Sequence, residues 1–350
     1  MKVYFIGSGY DGCSYVRCML PLQANGWWGD WATLGAGKDS QEQMLKACRD
    51  ADVVVFQRPM KNEFFTMAEA LRAMGKKIVF DNDDTYKSDS GAALGVLGMK
   101  IDTVRRFVDE VNDRLFKFAQ FADLVTVSTE TLKEEYLQLN KNVEILPNCV
   151  CVDDWDEPQR NEGEKIRIGL SGSVGFSEDY VQITEILEEL AQNKNVQLVV
   201  FSIPADEEKN KWQRDTFYKQ NIEFFEKLGA EFQPTVPMAD YIDTLNNLKL
   251  DIMLIPRKDN YFNQCKSNIK YLEASMLEIP CIVSSFEGAP YEKDETLKAK
   301  SLDDWRQHLK TLMDKDTRRK LGKKAKEFVI TNYNIDDKAH LWVEAYKRLF

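Results

Sequence analysis

Histidine is almost missing. Only His308 and His340 occur among the 350 residues, both in the C-terminal fifth. A His-rich metal cage or a Ser-His-Asp triad in the body of the chain is therefore all but excluded. An excess of positive charge is missing too. Against 47 Lys and Arg stand 57 Asp and Glu, a formal net charge of −10, so bulk charge disfavours nonspecific nucleic-acid binding and leaves only a local basic cleft. No uninterrupted apolar run approaches the ~18 residues that span a bilayer. The run VYFI at 3–6 is too short for a signal peptide and leads straight into Gly7. Zinc-ligand spacing is also lacking. The seven cysteines stand at 13, 18, 48, 149, 151, 265 and 281, an odd number, and Cys149 and Cys151 do not make the C-x2-C pattern. Reduced thiols in a reducing compartment follow, and the expected location is cytoplasmic.

What is present is a globular composition, 43% hydrophobic and 30% charged, in a chain too long for one typical core. Apolar runs at 3–6, 52–56, 77–80, 124–127 and 143–146 read as strands buried on both faces. Helical spacing falls between them at 15–23, 64–74, 101–121 and 130–139, the last with Ser128 suited to its N-cap. Residues 153–165 hold six acids among Pro, Asn and Gly and read as a linker. The alternation then restarts. Strands are expected at 166–170, 196–201, 230–232, 251–255 and 281–284, helices at 179–192, 211–228, 238–248 and 267–277, and three helices to the end. The implied fold class is α/β, two Rossmann-like domains facing across a cleft. The expected division is 1–150, a linker at 151–165, a second domain at 166–333, and residues 334–350 returning to the first domain. In open parallel sheets ligands sit beyond the C-terminal strand ends, so the cleft is the natural site.

Gly7-Ser8-Gly9-Tyr10-Asp11-Gly12 matches G-x-G-x-x-G between a strand and a helix. An NAD(P)-binding reading needs an acid at the end of a second strand about 20 residues on. That region reads GWWGDW at 26–31, with Asp30 crowded by tryptophans, and is no clean strand. Gly9 and Tyr10 are read instead as a tight turn, or as a loop facing the cleft near acceptor or phosphate.

The most informative segment runs FNQCKSNIKYLEASMLEIPCIVS over 262–284, after a strand and a polar loop. Ser267 is expected to cap a helix whose first amides, carrying about half a positive charge, suit a diphosphate, with Lys266 beside them. Ile269, Leu272, Met276 and Leu277 form its buried face. Glu273 lies about one and a half turns in, able to accept both hydroxyls of a ribose. The plainer alternative is an ordinary amphipathic helix with surface Lys and Glu. The ordered string KS-x-x-K-x-x-E between two buried strands resembles the donor-site helix of GT-B fold glycosyltransferases, the family 4-like group ("glycosyl transferases group 1"). IGLSGS at 168–173, LPNCV at 146–150 and RRKLG at 318–322 through Trp342 resemble further parts of that group, covering most of the second half.

The resemblance implies that Lys266, Ser267 and Asn268 hold the donor diphosphate and Glu273 the ribose. The stretch 234–237, with Val236, presents backbone to the base, and Gly172 and Ser173 approach the phosphates from the opposite wall. It further implies transfer with retention, and a last helix returning to the first domain. The chain departs from the family in three ways. Where the group carries Glu-x7-Glu, Cys265 stands eight positions before Glu273; no basic residue is evident after Ser173; and the first-domain histidine of some members is absent.

In the first domain, Asp81-Asn82-Asp83-Asp84 follows a strand and so faces the cleft. Clustered acids suit Mg²⁺ or fill a solvated turn. Contacts to acceptor or sugar are the favoured reading for Asp81, with Asp83 and Asp84 at the reaction centre. Metal is admitted but not required, and no cofactor is expected. Arg58 occupies a similar rim position after 52–56. Residues 87–100 read as a mobile lid or loop. Trp27, Trp28 and Trp31 stack on a sugar or pack. The basic run 318–326 touches anionic lipid or forms a solvated face. The expected partners are a nucleoside-diphosphate sugar and a glycan, lipid-linked, protein or modified nucleic-acid acceptor. A nucleotide-sugar epimerase, an NAD(P) oxidoreductase and a non-catalytic sugar-nucleotide binder are the rival readings.

Overall fold

A computed structural model describes residues 1–30, 38–87, 101–172, 177–203 and 219–350. Among them are two wholly parallel six-stranded sheets. The first contains β1 (Val3–Ile6), β2 (Trp28–Asp30), β3 (Val53–Gln57), β4 (Lys77–Asn82), β5 (Leu124–Val127) and β6 (Val143–Ile145), in the order β2-β1-β3-β4-β5-β6. The second contains β7 (Ile166–Ser171), β8 (Val196–Ile203), β9 (Glu231–Pro234), β10 (Ile252–Ile255), β11 (Cys281–Ser284) and β12 (Leu297–Ala299), in the order β12-β11-β10-β7-β8-β9. Every residue of β1, β3, β5, β10 and β11 is buried. Sheets covered by helices on both faces account for their continuous apolar runs.

Each sheet reverses its strand order once, between β1 and β3 in the first and between β7 and β10 in the second. Such reversals splay the connecting loops apart and open a crevice at the C-terminal strand ends. The loops at the first reversal carry Gly7–Gly12 and Arg58. Those at the second carry Gly172 and residues 256–268.

The chain passes between the domains twice, and the two passages are paired. Val150 N donates to Tyr333 O at 3.0 Å and Ile335 N to Val150 O at 2.8 Å. The final helix, His340–Lys347, packs on the first domain, where Trp342 and Tyr346 join Val3, Phe5, Val16 and Leu20 in one buried cluster. Residues 155–165 are not a loose tether. Gln159 N donates to Asn246 Oδ1 at 2.8 Å, Asn161 Nδ2 to Asp251 Oδ2 at 2.6 Å, and Arg160 pairs with Glu278, all on the second domain.

Several local expectations need correction. Residues 28–30 do form a strand, β2, paired with β1 through Tyr4 and Trp28. β12 and four helices, not three helices alone, follow β11. Thr129, not Ser128, caps Glu130–Leu137 by accepting from Leu132 N. The first helical stretch contains a π-helical turn, Tyr15–Met19, which buries Arg17 completely. Such turns insert one extra residue and often mark functional places. Gly322 lets the helix Lys315–Tyr333 pass against backbone, since a Cβ there would lie 1.9 Å from Glu278 O. The lid expected at 87–100 lies outside the described residues except for Lys87, as do Trp31 and 211–218 of one expected helix.

Candidate functional site

The KS-x-x-K-x-x-E segment sits at the second sheet's reversal point. Its helix is Ile269–Met276, and the N-cap is Asn268, one residue beyond the expected Ser267. Asn268 does not cap its own helix; its Nδ2 donates to Asp294 Oδ2 at 2.8 Å. Ser267 Oγ accepts from Asn148 Nδ2 at 2.8 Å. No acid stands in the first turn. Helix geometry leaves the first amides without carbonyl partners inside the helix, so this tip keeps its positive polarity.

Three cations surround that tip. Lys266 Nζ lies 2.6 Å from Asp84 Oδ2 of the first domain and 4.1 Å from the centre of the Phe262 ring. Lys270, the second residue of the helix, donates through Nζ to the Ser171 carbonyl at the end of β7. Arg257, two residues past β10, is buried; its NH1 donates to Asn263 Oδ1 at 3.2 Å and lies 3.6 Å from Asp179 Oδ2. Burial and the neighbouring Arg257 guanidinium bring the Lys270 ammonium down to about 7. Glu273 accepts from Tyr241 OH at 2.9 Å, and burial raises its carboxyl to about 7 despite that bond and Lys270.

Arg257, Lys270 and Tyr241 are the residues that sequence reasoning missed. The rim rule applied to Arg58 after β3 would have found Arg257 after β10, and Lys270 stood unassigned inside the motif itself. Gly172 lies in the crevice, but its N–H already donates to Phe201 O at 3.3 Å. Ser173 lies outside the described residues. Val236 is half-buried in the turn after β9. Cys265 is fully buried among first-domain core residues, its thiol pushed up to about 12 by burial and then Glu135. Its carbonyl accepts from Thr129 Oγ1 of the first domain at 3.2 Å.

On the opposite wall, Arg58 has the left-handed φ of 46°, rare for a side chain of this size. Its NH2 lies 2.5 Å from Asp83 Oδ1 and 3.9 Å from Asp84 Oδ2. Burial pushes the Asp83 carboxyl up, but Arg58 first, then Arg17 and Lys266, hold it below the usual carboxylate range. Asp83, Arg58, Asp84 and Lys266, in that order, thus form one chain of alternating charge across the cleft. Asp81, expected to contact sugar or acceptor, is instead in the core at 1% exposure. Arg17 grips both its oxygens, at 3.1 and 2.6 Å, and Thr126 Oγ1 donates at 2.7 Å. Tyr10 is exposed at the cleft edge beside Gly9, and a Cβ on nearby Gly12 would come within 3.9 Å of Met238 in the second domain. Asp11 caps that helix start, accepting from Ser14 N at 2.8 Å. A dinucleotide pyrophosphate there would meet a carboxylate. Trp27 packs between Phe5 and Tyr346, while Trp28 is exposed.

Among the described residues no group of three His, Cys, Asp or Glu could hold a metal ion, and no helix is long and apolar enough to cross a membrane.

A family model described as "Glycosyl transferase-like" matches residues 182–344, somewhat less than half of the chain. No curated protein matches the sequence. Solved structures resemble the whole fold. Sucrose-phosphate synthase from Thermosynechococcus elongatus is 15% identical with a TM-score of 0.67, covering 100% of this chain and 99% of its own. A UDP-forming trehalose-phosphate synthase from Burkholderia xenovorans is 11% identical with a TM-score of 0.66, covering 100% and 99%. Anabaena HepE, solved in complex with UDP and glucose, is 9% identical with a TM-score of 0.65, covering 99% of both chains. The two-domain α/β architecture with a returning C-terminal helix is therefore the GT-B fold that the sequence resemblance implied.

Proposed function

We propose that this chain, a GT-B fold protein whose second domain matches a glycosyl transferase-like family, moves a sugar from a nucleoside-diphosphate donor to an acceptor across its cleft. One observation carries the reading: Arg257, Lys270 and Lys266 gather around an uncapped helix tip at a sheet's reversal point. Like charges collected in a buried place are costly unless an anion completes them. A diphosphate supplies two negative groups at the spacing of a helix tip and its flanking lysines.

The helix amides at 268–270, the Ser267 hydroxyl and Lys266 hold the diphosphate in this reading, with Lys270 and Arg257 behind it. Glu273, steered by Tyr241, takes the ribose hydroxyls, and the turn with Val236 takes the base. Gly172 forms the facing wall. Catalysis is charge compensation. As the glycosidic bond breaks, negative charge grows on the leaving diphosphate, and preformed dipoles and ammonium groups there favour the transition state over the ground state. Asp83, Asp84, Arg58, Gly9 and Tyr10 face the acceptor side. UDP is the first nucleotide to test, because HepE and the trehalose-phosphate synthase are described with it.

We carry retention of configuration, a cytoplasmic location and independence of metal as parts of the proposal. Asp83 and Asp84 are already neutralised by Arg58 and Lys266, so a divalent ion would have to displace both ion pairs. The exposed cations Arg319, Lys320, Lys323 and Lys324 would meet an anionic membrane surface were the acceptor lipid-linked. Asp11 at the first helix start speaks against the NAD(P) alternative. A thermal-shift screen against UDP-, GDP-, ADP- and CMP-sugars is expected to show stabilisation by one nucleotide class, undiminished by EDTA. A flat response to all four would remove the proposal.

The titrations near 7 give a sign to the pH dependence. Below 7 Glu273 takes a proton and loses acceptor capacity; above 7 Lys270 loses its charge. Calorimetric affinity for the nucleoside diphosphate should therefore peak near neutrality. Glu273→Gln should flatten the acid limb and Lys270→Arg the alkaline limb. Limbs unaffected by these substitutions would assign the titration elsewhere.

A further inference from the structure

Two neighbouring residues at the helix tip are each hydrogen-bonded toward one of the two places where the chain crosses between domains. Ser267 Oγ accepts from Asn148 Nδ2 at 2.8 Å. Asn148 lies on the outgoing crossing, and its Oδ1 accepts from Arg17 NH1 at 3.1 Å. Arg17 in turn is locked to Asp81 of β4 and to the Leu146 carbonyl. On the other side, Asn268 Nδ2 donates to Asp294 Oδ2 at 2.8 Å, and Asp294 Oδ1 accepts from Tyr333 OH at 3.2 Å. Tyr333 ends the long helix at the return crossing, where its carbonyl accepts from Val150 N at 3.0 Å.

The polarity of these contacts is matched throughout. Flipping the Asn148 amide would set its NH2 against the Arg17 guanidinium, so the Arg17 contact fixes which end faces Ser267. With one lone pair taken by Asn148, the Ser267 hydroxyl still has its hydrogen to donate to a phosphate oxygen. Asn268, drawn away by Asp294, leaves the helix amides uncapped. Asn148, Asn268 and Asp294 are 3%, 8% and 4% exposed, so the side chains at the centre of both arms are shielded from solvent. The tip that reads as the diphosphate site is thus tied by two buried arms to both interdomain crossings.

We propose that Asn148 and Asp294 are positioning residues that couple occupancy of the helix tip by a diphosphate to the angle between the domains. The proposal rests on the donor-site reading above. Linkage makes the coupling reciprocal: whatever a ligand at the tip does to the hinge, a constraint at the hinge does to ligand affinity.

The test uses the full chain with UDP, GDP or ADP, whichever binds, measuring affinity by calorimetry and the nucleotide-induced change in radius of gyration by small-angle scattering. The expected result for Asn148→Ala is at least tenfold weaker binding and loss of more than half of the nucleotide-induced compaction. In a Ser267→Ala background the same change should cost less than threefold further, because both substitutions break one connection. A merely structural role would lower the melting temperature of free and bound protein alike and leave the compaction intact, and that outcome overturns the coupling. So would strict additivity of Asn148→Ala and Ser267→Ala. If Asn148→Ala does not fold, Asp294→Asn, which keeps one acceptor of two, should still reduce compaction, and an unchanged response overturns the proposal. A wild-type protein that binds no nucleotide overturns the donor reading and this inference together. One that binds, with variants responding like wild type, overturns this inference alone.

Discussion

Lys266→Ala should lower sugar transfer by about 10²–10³-fold while leaving the fold in place, on the scale of removing one preorganised charge-stabilising donor from an active site. The two halves of that expectation have separate physical grounds. Lys266 is 23% exposed and its partner Asp84 is 17% exposed; a partly solvated pair of this kind contributes about 0–1 kcal/mol of stability. Its rate effect is larger because the leaving diphosphate gains charge in the transition state. The loss should fall mainly on kcat, with a smaller rise in KM for the donor. Lys266→Arg should recover part of the rate, since charge is kept and only the compact ammonium geometry is lost. The measurement is steady-state transfer or donor hydrolysis, beside a urea unfolding curve. A Lys266→Ala protein with wild-type kcat would eliminate the charge-compensation mechanism.

The Asp84 contact sharpens that expectation. In the ligand-free cleft Asp84 stands 2.6 Å from Lys266, where it competes with any incoming phosphate. On the proposed donor reading, a diphosphate outcompetes Asp84 by offering more negative charge and by engaging the helix amides at 268–270.

How much of this was legible in the sequence follows from the range of each interaction. Buried parallel strands announce themselves within four or five residues, as VVVFQ at β3 and IMLI at β10 do. β2 and β12 did not, because WGD and LKA are only three residues long and sit at sheet edges. The motif around Lys266 was readable because charge, helix start and strand end coincide locally. Its cap was misread by one residue because tertiary partners decide it: Asn148 takes Ser267 from 119 positions away and Asp294 draws off the Asn268 side chain. Cys265 gave no local sign that it would insert into the other domain's core. Asp81 obeyed the strand-end rule for a cleft residue, yet the rule cannot see Arg17, 64 positions earlier, turned inward by a π-helical turn.

That buried pair sets up the largest stability effect expected in the molecule. Arg17 is fully buried and makes four polar contacts, two with Asp81 and one each with Leu146 O and Asn148 Oδ1. Removing one partner of a buried pair strands the other charge without solvent, a cost of about 3–5 kcal/mol. Arg17→Met retains most of the apolar stem, so the loss measured is chiefly the stranded Asp81 and the two unpaired oxygens at 146 and 148. The expected result is a large fall in the urea midpoint. Arg17→Met/Asp81→Asn should recover a substantial part of it, because a neutral amide is far less costly to bury than an unpaired carboxylate and Thr126 can still donate to its oxygen. If Arg17→Met does not fold at all while the double variant does, the conclusion is the same. A single variant within about 1 kcal/mol of wild type, the scale of exposed ion pairs, would mean that the pair is hydrated and contributes nothing beyond a surface contact. The hinge contacts supply the discrimination between stability and function: because Arg17 also holds Asn148, the double variant should regain stability without regaining nucleotide-induced compaction.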